Sequence, residues 1–189
     1  QQVKAKFIIE PDCPIGLHPL KMRTGDHLTT LGTFWVSPYE VHTEHEPIYG
    51  EGVMNDTPEQ AEKLENKDLT VFGYIRPGPF MDHDIYRISR KKGERISVEV
   101  NSVRNSFIWW ARAELDLLVR VLDQQGNELA LADDSALHVQ DPILSFLAPA
   151  DGDYFIEIRQ SLFTNYNNSF YTHYFAHIGT FDRNQAVYS

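Results

Sequence analysis

Gly152-Asp153-Tyr154-Phe155-Ile156-Glu157-Ile158-Arg159 decides the fold class. Tyr154, Ile156 and Ile158 alternate with Asp153, Phe155, Glu157 and Arg159. That spacing puts the three apolar side chains on one face of an extended strand. Arg95-Ile96-Ser97-Val98-Glu99-Val100 repeats the pattern. Leu115 to Leu122 (LDLLVRVL) and Leu69 to Ile75 (LTVFGYI) are more uniformly apolar and read as deeply buried strands. Further strands are expected at Phe7 to Glu10, Thr33 to Val36, Ile85 to Ser89, Glu128 to Leu131, Ile143 to Leu147 and Tyr171 to Ile178.

Turn chemistry separates these segments: Lys91-Lys92-Gly93, Asp123-Gln124-Gln125-Gly126-Asn127 and Ala150-Asp151-Gly152. Many short strands with frequent turns predict an all-β chain folded as an antiparallel β-sandwich. One short helix is also expected. Thr57-Pro58-Glu59-Gln60 offers an N-cap, a proline at the first helical position and a capping-box glutamine, with the helix running to about Leu64. The expected organisation is an N-terminal segment over 1–43, a linker with the helix over 44–65, and the sandwich over 66–189. The first segment holds two candidate strands around Pro11, Pro14, Gly16 and Pro19. It is too small for its own core, so it either packs on the sandwich or is the remnant of a preceding β module.

Composition narrows the function. The 189 residues include 27 acidic against 17 basic ones, a formal charge of -10. Without a lysine and arginine surplus, nucleic acid is an unsuitable partner. No apolar run reaches the roughly 18 residues of a membrane span. The single cysteine, Cys13, rules out an intrachain disulfide. No signal-type segment opens the stretch at Gln1-Gln2, which suits a mature terminus or a boundary within a longer chain.

Several motifs run in a familiar order: Gly93-Glu94-Arg95-Ile96, Leu115-Asp116, Val121-Leu122-Asp123-Gln124-Gln125-Gly126, Asp133-Asp134 and Ala150-Asp151-Gly152-Asp153-Tyr154. Upstream stand Asp82-His83-Asp84-Ile85-Tyr86-Arg87-Ile88 and Glu44-His45-Glu46-Pro47. Together, over roughly residues 44 to 180, they resemble the bacterial pre-peptidase C-terminal domain. Pro14 to Leu20 and Phe34-Trp35-Val36 are similar to a segment preceding that domain in large secreted proteins of planctomycete-type bacteria. The resemblance implies a jelly-roll sandwich appended to proteases and other exported proteins. It implies an extracytoplasmic location and neighbouring domains as partners. A scaffold family of this kind supplies no reaction by itself.

Collagen-binding members of that family hold calcium through a linker E-x-E-P-N-D and a D-x-D before the next strand. The resemblance therefore nominates Glu44, Glu46, Asn55, Asp56, Asp82 and Asp84 as calcium ligands. Oxygen donors of this kind suit calcium, and Asp82 and Asp84 face the same way in an extended segment. One departure stands out: Ile48 to Met54 separate Pro47 from Asn55-Asp56. Either this insertion loops out and returns Asn55-Asp56 to the site, or Glu51 substitutes. Asp133, Asp134 and Asp141 are read first as turn-forming acids and second as another metal site.

Other chemistries are less well supported. His173 and His177 lie on a strand, about 13 Å apart, too far to share an ion. His42 and His45, in a loop, remain a possible transition-metal pair, although no HExxH occurs. Cys13 has no recognisable catalytic partner. Phe107-Ile108-Trp109-Trp110 and the Asn-rich loop around Tyr166 and Tyr171 pair flat rings with amides. Trp109, Trp110, Tyr166 and Tyr171 are therefore the expected residues of a polysaccharide- or matrix-protein-binding face, weighed against roles in the core. The leading expectation is a non-catalytic, calcium-stabilised accessory domain. The alternatives are a carbohydrate- or matrix-binding module and, second, a metal-dependent enzyme.

Overall fold

A computed structural model describes residues 6–28, 32–47, 52–76, 81–102, 115–135, 140–161 and 173–181. Every element of secondary structure among them is a strand. The chain divides into two compact units between Pro38 and Tyr39.

The first unit is built on β1 (Gly16–Leu20), paired antiparallel with β4 (Gly32–Val36). Between them β2 (Arg23–Thr24) and β3 (His27–Leu28) form a minimal hairpin. Phe34 stacks on Phe7 at 5.1 Å and on His18 at 5.2 Å between ring centroids. Phe7 to Glu10, expected as a strand, joins no ladder, and Ile8 is 82% exposed. Without a partner strand to take its backbone donors, that short apolar run stays irregular.

The second unit contains two five-stranded sheets around one core. Its strands are β5 (Val41–Thr43), β6 (Glu62–Lys63), β7 (Leu69–Tyr74), β8 (His83–Arg90) and β9 (Arg95–Asn101). They continue with β10 (Leu117–Leu122), β11 (Glu128–Ala132), β12 (Ile143–Leu147), β13 (Gly152–Gln160) and β14 (His173–Gly179). One sheet runs β11-β10-β13-β8-β6 and the other β12-β9-β14-β7-β5. The fold is thus all-β and sandwich-like, as the alternation implies. Tyr154, Ile156 and Ile158 of β13 are all buried. They meet Tyr86 and Ile88 of β8, Val98 and Val100 of β9, Val119 and Val121 of β10, and Tyr174 and Ile178 of β14 in one cluster. The Asp123–Asn127 turn works as its residues suggest. Gly126 takes a left-handed φ of 79°, and Asp123 Oδ1 accepts the amides of Gln125 and Asn127.

Two features depart from the sequence reading. Pairing is antiparallel except at one edge of each sheet. There β5 runs parallel to β7, and β6 runs parallel to β8. The short helix expected from Thr57 to Leu64 is also not formed. Gln60 N–H donates to Thr57 O at 3.0 Å and Ala61 N–H to Pro58 O at 3.4 Å, which closes a single turn. Glu62 and Lys63 then pair with Tyr86 and Arg87, and Leu64 N–H donates to Arg87 O at 2.9 Å. The waiting edge of β8 and burial of Leu64 outweigh a capping signal worth about one turn.

A buried carboxylate cluster as candidate metal centre

On β8 the side chains of Asp84, Tyr86 and Ile88 point into the sandwich, because residues two apart share a face. Asp84 therefore extends the inner face of a core strand and is completely buried. Asp82, two residues earlier, is 6% exposed. On the segment leaving β5 the same spacing buries Glu44 and Glu46. The intervening insertion returns the chain, and Asn55 is buried against both glutamates. Its backbone N–H donates to Glu46 Oε2 at 3.1 Å and its Nδ2 to Glu44 Oε1 at 2.9 Å. Asn55 O in turn accepts the Ile85 N–H at 3.0 Å, tying the loop to β8.

Five of the six nominated residues are thus buried in one place, and Asp56 lies half-buried beside them. Glu51, the alternative ligand, lies outside the described residues. Glu46, Asp82 and Asp84 each offer an oxygen within 4.8 Å of the others. Two oxygens on one calcium ion lie at most about 5 Å apart, so the spacing suits a common ion. The chemistry of the donor set agrees: carboxylates and one amide oxygen, with no nitrogen or sulfur ligand.

The hydrogen-bond inventory leaves oxygens over. Asn55 Oδ1 and Asp84 Oδ1 are buried and accept no hydrogen bond. Glu46 Oε1 accepts none either, although Arg76 Nη1 forms an ion pair with it at 3.0 Å outside hydrogen-bond geometry. Arg76 is the cation paired with this group, and its backbone N–H also donates to Asp82 Oδ2. One guanidinium against four buried carboxyl groups leaves negative charge that burial makes costly. Burial accordingly raises the Asp82 carboxyl to about 7, with Glu46 and Asp56 adding repulsion. Burial, then repulsion from Glu44 and Asp82, pushes Asp84 well above the carboxylate range. Burial also raises Glu44 and Glu46.

Two tyrosines close the inner side. Tyr86 OH donates to Glu44 Oε1 at 2.9 Å, and Tyr174 OH donates to Asp84 Oδ2 at 2.7 Å. The two hydroxyls are themselves 2.7 Å apart. This row contains three hydrogen-bond contacts but only two phenolic protons. All three bonds require a proton on Glu44 or Asp84. Gly73 makes the row possible: a Cβ there would come within 2.9 Å of Tyr174 Cε1 and closer still to the phenol end. Sequence reasoning missed Tyr86, Tyr174, Arg76 and Gly73. Only Tyr86, on the inward face with Asp84, carried a signal.

The remaining candidates distribute differently. Asp141 is buried and accepts the Ser102 N–H and hydroxyl, both at 2.9 Å, a structural role. Asp133 and Asp134 instead group with Asp116, whose carboxyl burial and the neighbouring aspartates raise to about 6. His177 bonds Thr70 Oγ1 at 2.7 Å inside the fold, while His173 packs among aromatic rings. Cys13 Sγ lies 3.8 Å from His18 Nε2, but that nitrogen donates to Pro14 O at 2.7 Å and so carries its proton. It cannot act as base toward the thiol. Trp109, Trp110, Tyr166 and Tyr171 lie outside the described residues.

Comparison with known proteins follows this geometry. Residues 82–160, from the first aspartate of the cluster through β13, match the profile of the bacterial pre-peptidase C-terminal domain. A probable subtilase-type serine protease of Deinococcus radiodurans is 32% identical over 104 residues. The match covers 55% of this chain and 13% of that protein, so the chain spans a small part of its relative. Among solved structures, the PliG periplasmic inhibitor of g-type lysozyme from Aeromonas hydrophila superposes with a TM-score of 0.44 at 12% identity. That alignment covers 74% of this chain and 96% of the other. The pre-peptidase C-terminal domain of collagenase from Bacillus anthracis gives 0.44 at 13% identity, covering 66% and 98%. Over residues 82–160 the chain is thus similar to the bacterial pre-peptidase C-terminal domain family.

Proposed function

We propose that this chain is a non-catalytic accessory module of a larger exported bacterial protein, a jelly-roll sandwich stabilised by calcium. The observation that carries the calcium reading is the set of buried oxygens that accept no hydrogen bond, Asn55 Oδ1, Asp84 Oδ1 and, beside Arg76, Glu46 Oε1. A divalent cation among them supplies what one guanidinium does not. It also ties the segment after β5 to the start of β8, so that Glu44, Glu46 and Asn55 join Asp82 and Asp84 around one charge. Binding to the folded state alone adds stability by mass action, about 2.7 kcal/mol at one hundred times the dissociation constant. In a multidomain parent this stiffens the approach to the sandwich.

Calorimetric titration of chelator-treated protein tests the reading, with Asp84→Asn as control. Binding heat and a raised melting temperature, both lost in the variant, are expected. No heat and no melting shift at millimolar calcium would sink it.

A second reading has its own observation. Phe72, Tyr74, His173 and Phe175 form a connected ring cluster on the face of the sheet away from the core, with Phe72 5.0 Å from Phe175 and 4.8 Å from Tyr74. Half-buried rings on a sheet face suit stacking against a polysaccharide or an extended matrix protein. Loss of retention on immobilised polysaccharide or collagen peptide in Tyr74→Ala would support this role. Equal retention of both proteins would remove it.

A further inference from the structure

A second ligand set, of different chemistry, joins the two sheets at their edges. His42 sits in β5, at the edge of one sheet, and Glu62 in β6, at the edge of the other. His45 follows three residues after His42. His42 Nε2 lies 2.6 Å from Glu62 Oε1, and His45 Nδ1 lies 2.5 Å from the same oxygen. The imidazoles meet edge to face with centroids 5.4 Å apart. The second carboxylate oxygen, Oε2, accepts the His45 backbone N–H at 3.2 Å, which fixes the carboxylate plane. The Glu62 side chain is only 10% exposed, His42 is 28% exposed and His45 is 71% exposed.

We propose that His42, His45 and Glu62 form a binding site for a divalent transition metal of the zinc class. Two imidazole nitrogens and a carboxylate make a borderline ligand set, which favours zinc, nickel or copper over calcium. The all-oxygen cluster around Asp84 has the opposite preference, so the two sites sort ions by chemistry. All three ligand atoms lie within 4.8 Å of one another. Tetrahedral ligands on zinc stand about 3.3 Å apart, so each nitrogen needs to withdraw from the oxygen by about 0.7 Å. The exposed His45 ring can make that adjustment by rotation, while the backbone bond to Oε2 holds Glu62 in place. Three protein ligands leave one position open on the exposed His45 side, for water or a group from a partner. The bound ion spans the β5 and β6 edges, where each strand has only a short parallel ladder to hold it.

The experiment uses the whole chain with calcium kept saturating, titrated with zinc by calorimetry and with cobalt(II) in the visible range. One zinc equivalent and the intense visible bands of low-coordinate cobalt are expected. His45→Ala removes an exposed ligand and spares the core. It should weaken zinc at least about tenfold and abolish the cobalt bands, with unchanged melting in the absence of zinc. Glu62→Gln should do the same to both metal readouts. His18→Ala, which removes the Cys13-adjacent imidazole, should change neither. The proposal is overturned if zinc gives no heat at about 100 μM, a weak affinity for a site of this kind. It is equally overturned if His45→Ala binds as the unmodified chain does, or if the loss follows His18→Ala instead.

Discussion

Replacing Asp82 by asparagine should stabilise the calcium-free protein at neutral pH while weakening its response to calcium. Asp82 has an ordinary value of 3.8 unfolded and about 7 in the fold, chiefly because it is buried. The native state therefore holds this proton more tightly than the unfolded chain does. Stability from the protonated form is fully present below about pH 4 and is lost as pH rises through about 7. The full effect is about 4 kcal/mol, and about 2 kcal/mol of it falls between pH 5 and pH 7. For a chain of this length that corresponds to a drop of roughly 4–8 °C in melting temperature. Asp84 and Glu44 shift in the same direction and add to the drop. His173, held low by burial, works in the opposite sense as it loses its proton. Comparing the unmodified chain with Asp82→Asn separates these contributions. Melting followed by circular dichroism in chelator, at about pH 5, 6 and 7, should show a steeper fall for the unmodified chain. Saturating calcium should flatten or reverse that slope only in the unmodified chain. Parallel slopes in chelator, or a less stable Asp82→Asn at about pH 7, would refute the argument that this carboxylate is buried at a net cost.

Further outcomes follow from the same geometry. If the Glu44–Tyr86–Tyr174–Asp84 row carries a carboxyl proton, calcium binding near pH 6.5 should release about one proton from the row on top of roughly 0.8 from Asp82. Calorimetry in two buffers of different ionisation enthalpy reads the total directly, and a release of about one proton or fewer would exclude the shared proton. Gly73→Ala should force Tyr174 from its position, costing about 1–3 kcal/mol in denaturant melts. It should also reduce calcium affinity, and an unchanged affinity would detach the tyrosine row from the site. Burial tends to raise Glu157, but bonds from His83 and Arg120 outweigh it and hold the carboxyl low. Glu157→Gln should therefore be less stable than the unmodified chain at neutral pH, with the gap closing on acidification towards about pH 4. A gap that persists unchanged in acid would assign the loss to packing instead.

Much of the fold was legible because strand periodicity is a local property. The alternation in Gly152 to Arg159 and Arg95 to Val100 appears as β13 and β9 within a residue or two. The helix at Thr57 failed for a non-local reason. Its cap and proline were genuine local signals, but the vacant edge of β8 claimed Glu62 and Lys63. β5 and β6 went unseen because strands of three and two residues show no period, and only their partners define them.

The candidate site divides in the same way. The i, i+2 spacings Glu44/Glu46 and Asp82/Asp84 are written in the chain, and they place each pair on one face whatever the strand later meets. The motif order likewise carried the family resemblance. Sequence could not say whether the insertion after Pro47 would bring Asn55 back, since a loop's path depends on what its ends dock against. Nor could it say that the four carboxyls would be buried, with oxygens left without donors. Glu62, twenty residues from His42 and seventeen from His45, became a neighbour of both imidazoles only when two sheet edges were set side by side. Side-chain direction along a strand is fixed by backbone geometry and so by sequence. Burial, proton affinity and the meeting of distant ligands arise from packing, and only the folded chain determines them.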